Sequence, residues 1–283
     1  MSNLRSESQT ARTQDAASYE QLTNSDRAPL ILSLDTATEV RSVAVVRGER
    51  VLAHTRGRVQ RENTASVLQD IDEALSAADA RLGDIELFAV ARGPGSFTGL
   101  RSGIATIKAF ASTLNRPVAG VPTLHAIAAA CARTPQRVLA SLPAGRGEVF
   151  AQLLSVGDSG AVEELSEPFH LSPATLLEKA VRWGGDIKWA GTGAHAHVAT
   201  LREFANEQGI VWRDDTVLDD VENVVASDNE IQWTLAEPSE SYAAQIAALA
   251  LLNYRQGSTR GAEDLQALYV RLSDAELNER CRV

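Results

Sequence analysis

The chain has 283 residues, of which 44% are hydrophobic and 23% charged, a globular balance that excludes collagen-like, disulfide-stapled and low-complexity chains and, at roughly 100–200 residues per domain, favours two domains. A net charge of −10 disfavours a protein that grips nucleic acid on its own, and three lysines (Lys108, Lys179, Lys188) without a Gly-x-x-x-x-Gly-Lys-Ser/Thr setting exclude a P-loop. The longest apolar run, Ala243 to Leu252, falls short of the roughly 18 residues a membrane helix needs, and two cysteines, Cys131 and Cys281, are too few for a disulfide framework.

Residues 1–28 are polar, with charges of both signs, and read as a disordered tail with no secretory or transit signal, so a cytoplasmic location is expected. Leu30 to Asp35, Ser42 to Arg47 and Val51 to Thr55 are β-rich runs, the last two joined by a Gly48-Glu49 turn; an antiparallel meander is predicted. The period then changes. Leu68, Ile71, Leu75 and Ala78 recur at helical spacing with Asp70, Asp72 and Glu73 between them, which predicts an amphipathic helix over about 64–80 that stops near Gly83. Ile85 to Ala91 reads as a strand, a Gly-rich loop follows, and Ile104, Ile107, Phe110, Ala111 and Leu114 mark the next helix. Val118 to Val121 is a further strand, and Pro122 opens an Ala-rich helix reaching Cys131. Strands separated by helices pair in parallel, so the first half reads as three meander strands extended by two parallel ones.

The pattern restarts near Thr134-Pro135, and the domains are predicted as 29–134 and 135–283. Strands are expected over Val138 to Leu142, Val149 to Leu154 and Ile187 to Ala190, a Ser172-capped helix over Pro173 to Arg182, and a long helix over Ser241 to Tyr254. Residues 214–240 carry nine acidic and no basic side chains and read as a solvated insertion.

Two segments carry chemistry. Asp35-Thr36-Ala37-Thr38, at the end of the first strand, offers a carboxylate to a metal and hydroxyls to phosphate, or else forms a turn that satisfies only its own backbone. Gly93-Pro94-Gly95-Ser96-Phe97-Thr98-Gly99 lies between a strand and a helix, where glycines allow close backbone approach and a helix N-terminus suits an anion; its plainer reading is a tight connection capped by Ser96 or Thr98.

With Arg61-Glu62-Asn63-Thr64 between them, these segments resemble the TsaB (YeaZ) family over about residues 30–130, the specific part being Gly-Pro-Gly-Ser-Phe-Thr-Gly followed by Leu100-Arg101. Arg146-Gly147-Glu148-Val149-Phe150 and Tyr269-Val270-Arg271 resemble later segments of the family. The resemblance implies an α/β, actin/Hsp70-like ATPase fold (ASKHA, ribonuclease H-like) with two related α/β domains. It implies a non-catalytic scaffold that pairs with a TsaD-type transferase and a TsaE-type ATPase to make N6-threonylcarbamoyladenosine (t6A) at position 37 of tRNAs reading ANN codons, and a homodimer in isolation, with tRNA met only through the complex.

The residues fit a non-catalytic role: Glu62 to Gln69 contains no histidine, so the His-x-x-x-His metal pair of TsaD-type subunits cannot form there. No cofactor is required under this reading. ATP or ADP binding would fall to vestigial loops at Asp35, Thr36, Thr38, Gly93, Gly95, Ser96, Thr98 and Gly99, with Gly191 and Gly193 of Gly191-Thr192-Gly193-Ala194-His195-Ala196 at the adenosine end. The expected partner interface is the apolar stripe of the first two long helices, Leu68, Ile71, Leu75, Ala78, Phe97, Arg101, Ile104, Ile107 and Ala111, packing into a four-helix bundle. Six arginines against Glu49 alone over 41–61 make Arg56 and Arg58 candidates for a contact with tRNA or an acidic partner surface. The rival reading is an active small-molecule kinase or ATPase of the same fold; a third is a purely structural dimer.

Overall fold

A computed structural model describes residues 28–57, 64–131, 135–215 and 230–270. The tail to residue 27, Arg58 to Asn63, residues 216–229 and everything from Arg271 on, Cys281 included, lie outside the described residues.

The first sheet contains β1 (Leu30–Asp35), β2 (Ser42–Arg47), β3 (Arg50–Arg56), β4 (Leu87–Ala91) and β5 (Val118–Val121) in the order β3-β2-β1-β4-β5. β1, β2 and β3 pair antiparallel, while β1, β4 and β5 pair in parallel, which is the predicted topology. Between β2 and β3, Arg47 pairs with Arg50 across the two-residue turn, where Gly48 takes φ +57°, a conformation that a glycine adopts without a Cβ clash.

Strand alternation divides the sheet's side chains between two cores. Leu30, Leu32, Leu34, Val43, Val45, Phe88 and Val90 face α1 (Thr64–Ala77) and α2 (Phe97–Leu114). Ile31, Ala44, Val46, Leu87, Ala89 and Ala91 lie in the core on the other side, to which α3 (Thr123–Cys131) also contributes. α1 ends earlier than predicted, because Asp79 at φ +50° closes it, with the Ala80 amide donating to the Leu75 carbonyl. Aspartate tolerates the left-handed region better than most residues. Gly83, the predicted stop, sits instead in a separate 3-10 turn, Leu82–Asp84.

The second sheet holds β6 (Gln136–Gly145), β7 (Glu148–Val156), β8 (Val162–Glu164), β9 (Phe169–Leu171), β10 (Ile187–Ala190), β11 (Val211–Asp214) and β12 (Gln232–Leu235). Its order is β11-β12-β10-β6-β7-β8, with β9 also on β7. Val138, Ala140, Leu142, Leu154 and Ala190 point to the core shared with the first sheet. Leu139, Leu153, Trp189, Trp233 and Leu235 pack outward against α4 (Pro173–Trp183), α5 (Thr192–Ala196) and α6 (Val198–Glu207). Ser172 caps α4 as predicted, accepting the Thr175 amide at 3.2 Å.

α3 and α7 (Ala243–Arg255) fill the layer between the sheets with small residues, Ala126, Ala128, Ala243, Ala247 and Ala250, which let helix and strand approach closely. Two mixed sheets, each with helices outside and a shared helical layer between them, form the actin/Hsp70-like architecture.

Two boundary expectations are corrected. Residues 230–240 are not part of a solvated insertion: β12 lies between β10 and β11, and Trp233, Leu235 and Ala236 are at most 2% exposed. The acidic residues on either side mask a strand only four residues long. The expected second domain also does not keep residues 243–265. α7 packs on β1, β2 and β5, Arg260 and Val118 exchange backbone hydrogen bonds of 2.9 and 3.1 Å, and Ala262 and Leu265 join the first core. The chain thus returns to its first half after β12.

Candidate functional site: the paired loops and the face of α2

The Asp35–Thr38 turn and the Gly93–Gly99 loop meet at the C-terminal ends of β1 and β4. Asp35 is fully buried; one carboxylate oxygen accepts the Ala37 amide at 2.8 Å and the other the Thr38 hydroxyl at 2.6 Å. Burial pushes its pKa up, against the opposing pull of the hydrogen bonds from Thr38 and Ala37. Thr36 Oγ1 donates to the Gly99 carbonyl at 2.7 Å, and the Ser96 amide donates to the Ala37 carbonyl at 2.8 Å. Ser96 is the N-cap of α2, accepting the Gly99 amide at 3.2 Å.

The glycines show why this loop tolerates no side chains. A Cβ on Gly99 would stand 1.8 Å from the Thr36 carbonyl oxygen, one on Gly95 2.3 Å from that of Ala37, and one on Gly103 2.2 Å from Thr36 Oγ1. Gly93, at φ +112°, receives the Leu268 carbonyl in its notch, 2.4 Å from where a Cβ would be. The two loops therefore fill one another. The missing Cβ atoms leave room for the backbone of Thr36 and Ala37, and the Asp35 carboxylate is buried and hydrogen-bonded within its own turn.

In the second half, Gly191 (φ +88°) and Gly193 are pressed on β6, their Cβ positions 2.2 Å from the Ser141 carbonyl oxygen and 2.9 Å from the Leu142 amide. Burial lowers the pKa of His195 in the five-residue α5. His125 and His170 lie elsewhere, 3.0 Å from Glu164 and 2.8 Å from Glu148.

A model of the family described as "TsaD: tRNA N6-adenosine threonylcarbamoyltransferase" matches residues 57–203, just over half of the chain. The tRNA threonylcarbamoyladenosine biosynthesis protein TsaB of Escherichia coli is 34% identical over 190 residues, which cover 66% of this chain and 80% of that protein. The chain belongs to the TsaB family. Its fold agrees: YeaZ from Pseudomonas aeruginosa superposes with a TM-score of 0.64 at 24% identity, covering 85% of this chain and 99% of that one. A second Pseudomonas aeruginosa structure, described as similar to peptidase YeaZ, gives 0.67 at 25% identity over 86% and 100% of the two chains.

Most of the stripe expected to form a partner interface is buried within the chain itself. Ile71, Leu75, Ile104, Ile107 and Ala111 are buried under the chain's own sheet, and Ala78 packs partly buried against the same core. An apolar stripe at helical spacing is what a helix needs to cover a sheet, so it is not free for a partner. Leu68 is exposed on α1, and Phe97, Thr98, Arg101, Ala105, Ala109 and Ser112 are exposed on α2.

At the start of α2 the Arg101 guanidinium lies 3.8 Å from the centroid of the Phe97 ring, and Phe97 meets Tyr269 at 5.5 Å between centroids. Tyr269 was legible only as part of a C-terminal segment; nothing in its spacing tied it to Phe97. Arg56 is not a free cation either, since it pairs with Glu240. Arg41 likewise pairs with Asp70, and Arg58 is outside the described residues.

Proposed function

We propose that this chain is the non-catalytic partner subunit of a TsaD-type transferase, acting with a TsaE-type ATPase in forming t6A at position 37 of tRNA. The observation that supports the reading is the close packing of the Asp35–Thr38 and Gly93–Gly99 loops on one another, with the buried Asp35 carboxylate bonded within its own turn. The names of the relatives supply the pathway. In this reading the loops set the pose of α2, and the outward faces of α1 and α2 take the partner: Leu68 on one helix, and the small residues Ala105, Ala109 and Ser112 on the other. Small side chains let a partner helix approach closely. The same face closes on a second copy when the transferase is absent, because a related partner presents related helices.

The test is to mix the chain with the TsaD-type protein of its own organism and measure mass by light scattering. A heterodimer is expected, lost in the Leu68→Glu/Ala105→Glu double variant, which alters only exposed positions. A folded double variant that still assembles refutes the interface. Mg-ATP turnover by the wild-type chain alone refutes the non-catalytic role.

A further inference from the structure

We infer that Phe97 and Tyr269, backed by Arg101, form a stacking platform for unpaired RNA bases; the inference rests on the reading that the complex handles tRNA. Both rings reach the surface, 37% and 47% exposed. They adjoin at 5.5 Å with 41° between their planes, and the Arg101 guanidinium covers Phe97. Adjacent aromatic faces with an arginine are the elements that hold single-stranded nucleic acid, because every base offers a π-face.

The platform is built by the fold. The Leu268 amide donates to the Arg92 carbonyl at 2.6 Å, and the Leu268 carbonyl occupies the notch at Gly93. The returning C-terminal segment is thereby fixed where Tyr269 reaches Phe97.

Charge supports the same occupant. The helix α2 carries Arg101 and Lys108 and no Asp or Glu, in a chain of net charge −10. Among the described residues no carboxylate pairs with Arg101. Cationic side chains without a carboxylate on the same helix favour a polyanion there. Ala105, Ala109 and Ser112 continue the exposed face of α2 beyond Arg101, so the mass of the complex is read beside RNA binding in every variant. Unpaired loops are the parts of an RNA whose bases can leave the stack and be read by aromatic side chains.

An anticodon stem–loop RNA and a fully paired RNA of equal length are titrated against the chain alone and against its complex with the transferase, with light scattering on every variant. Tyr269→Ala is expected to weaken stem–loop binding by about tenfold, in keeping with loss of one stacked base. Tyr269→Trp should restore it, and with either Tyr269 variant duplex binding and the mass of the complex should not change. The inference is overturned if Tyr269→Ala binds the stem–loop as the wild type does, or if neither the chain nor the complex binds it. It is also overturned if Tyr269→Ala dissociates the complex, which would assign the rings to the protein partner. Failure of the wild-type proteins to assemble counts against the proposed function, whereas RNA affinity of the chain alone still reads the platform.

Discussion

The molecule uses the same device twice, and its two uses differ in what they present outward. After β4 and after β10 a glycine-bearing turn leads from strand into helix, and in both turns the missing side chains make room for neighbouring backbone: Thr36 and Ala37 in the first, Ser141 and Leu142 in the second. The first turn opens an 18-residue helix capped by Ser96 and ends in exposed rings. The second opens a five-residue helix with no side-chain cap, bent at His197 into α6 and turned onto a core of Trp189 and Trp233, whose rings meet edge-on at 5.0 Å. Glycine in such a turn thus reports close approach; what approaches is decided by the rest of the fold.

The strongest test of this equivalence is Gly99→Ala. With a Cβ 1.8 Å from a backbone oxygen, the helix or the turn must move, and a loss of about 3 kcal/mol or more, or no cooperative unfolding at all, is expected in urea denaturation. Gly193→Ala, at 2.9 Å from backbone, should cost about 1–2 kcal/mol. Gly83→Ala, with nothing within 4 Å, should stay within about 0.5 kcal/mol. Equal losses at all three positions would refute the packing account.

Trp233→Ala sharpens the contrast from the other side. It removes a ring that is 1% exposed and stacked with Phe204, so thermal or urea unfolding should show a loss of about 3–5 kcal/mol. A neutral result would return residues 230–240 to the solvated insertion that their charge suggested.

The smallest expected effect is the pH dependence of Asp35. Burial raises its folded pKa above the ordinary 3.8, so the folded state holds the proton more tightly than the unfolded one. The resulting stability is complete below about pH 3.8 and is lost as pH rises through the folded value. Relative to wild type, Asp35→Asn should therefore gain stability between pH 4 and pH 7, measured by urea unfolding at both. Three histidines act oppositely. Burial lowers the pKa of His54, His125 and His195, so their contribution is present above about pH 6.5 and lost as pH falls, when the unfolded imidazoles take up protons first. A flat difference between wild type and Asp35→Asn would mean that the carboxyl is not held in its buried turn.

Sequence alone determined the strands of the first sheet and their division into an antiparallel meander and a parallel pair, the capped helix at Ser172, and the two segments that meet at the site. Alternation of period two, helical spacing and turn residues are local signals, and they survive in any fold that contains these elements. Only the tertiary structure decided what each signal was for. The stripe Ile71, Leu75, Ile104, Ile107 and Ala111 had to be buried, and periodicity names the face without naming its cover; the cover is β1, β2 and β4, not a partner. The acidic flanks of Gln232–Leu235 concealed a strand because a four-residue run carries too little pattern to outweigh its neighbours' charge. Phe97 and Tyr269 stand 172 positions apart in sequence and 5.5 Å apart in space. That contact depends on α7 and the segment after it returning to the first sheet, a long-range pairing that no local pattern encodes.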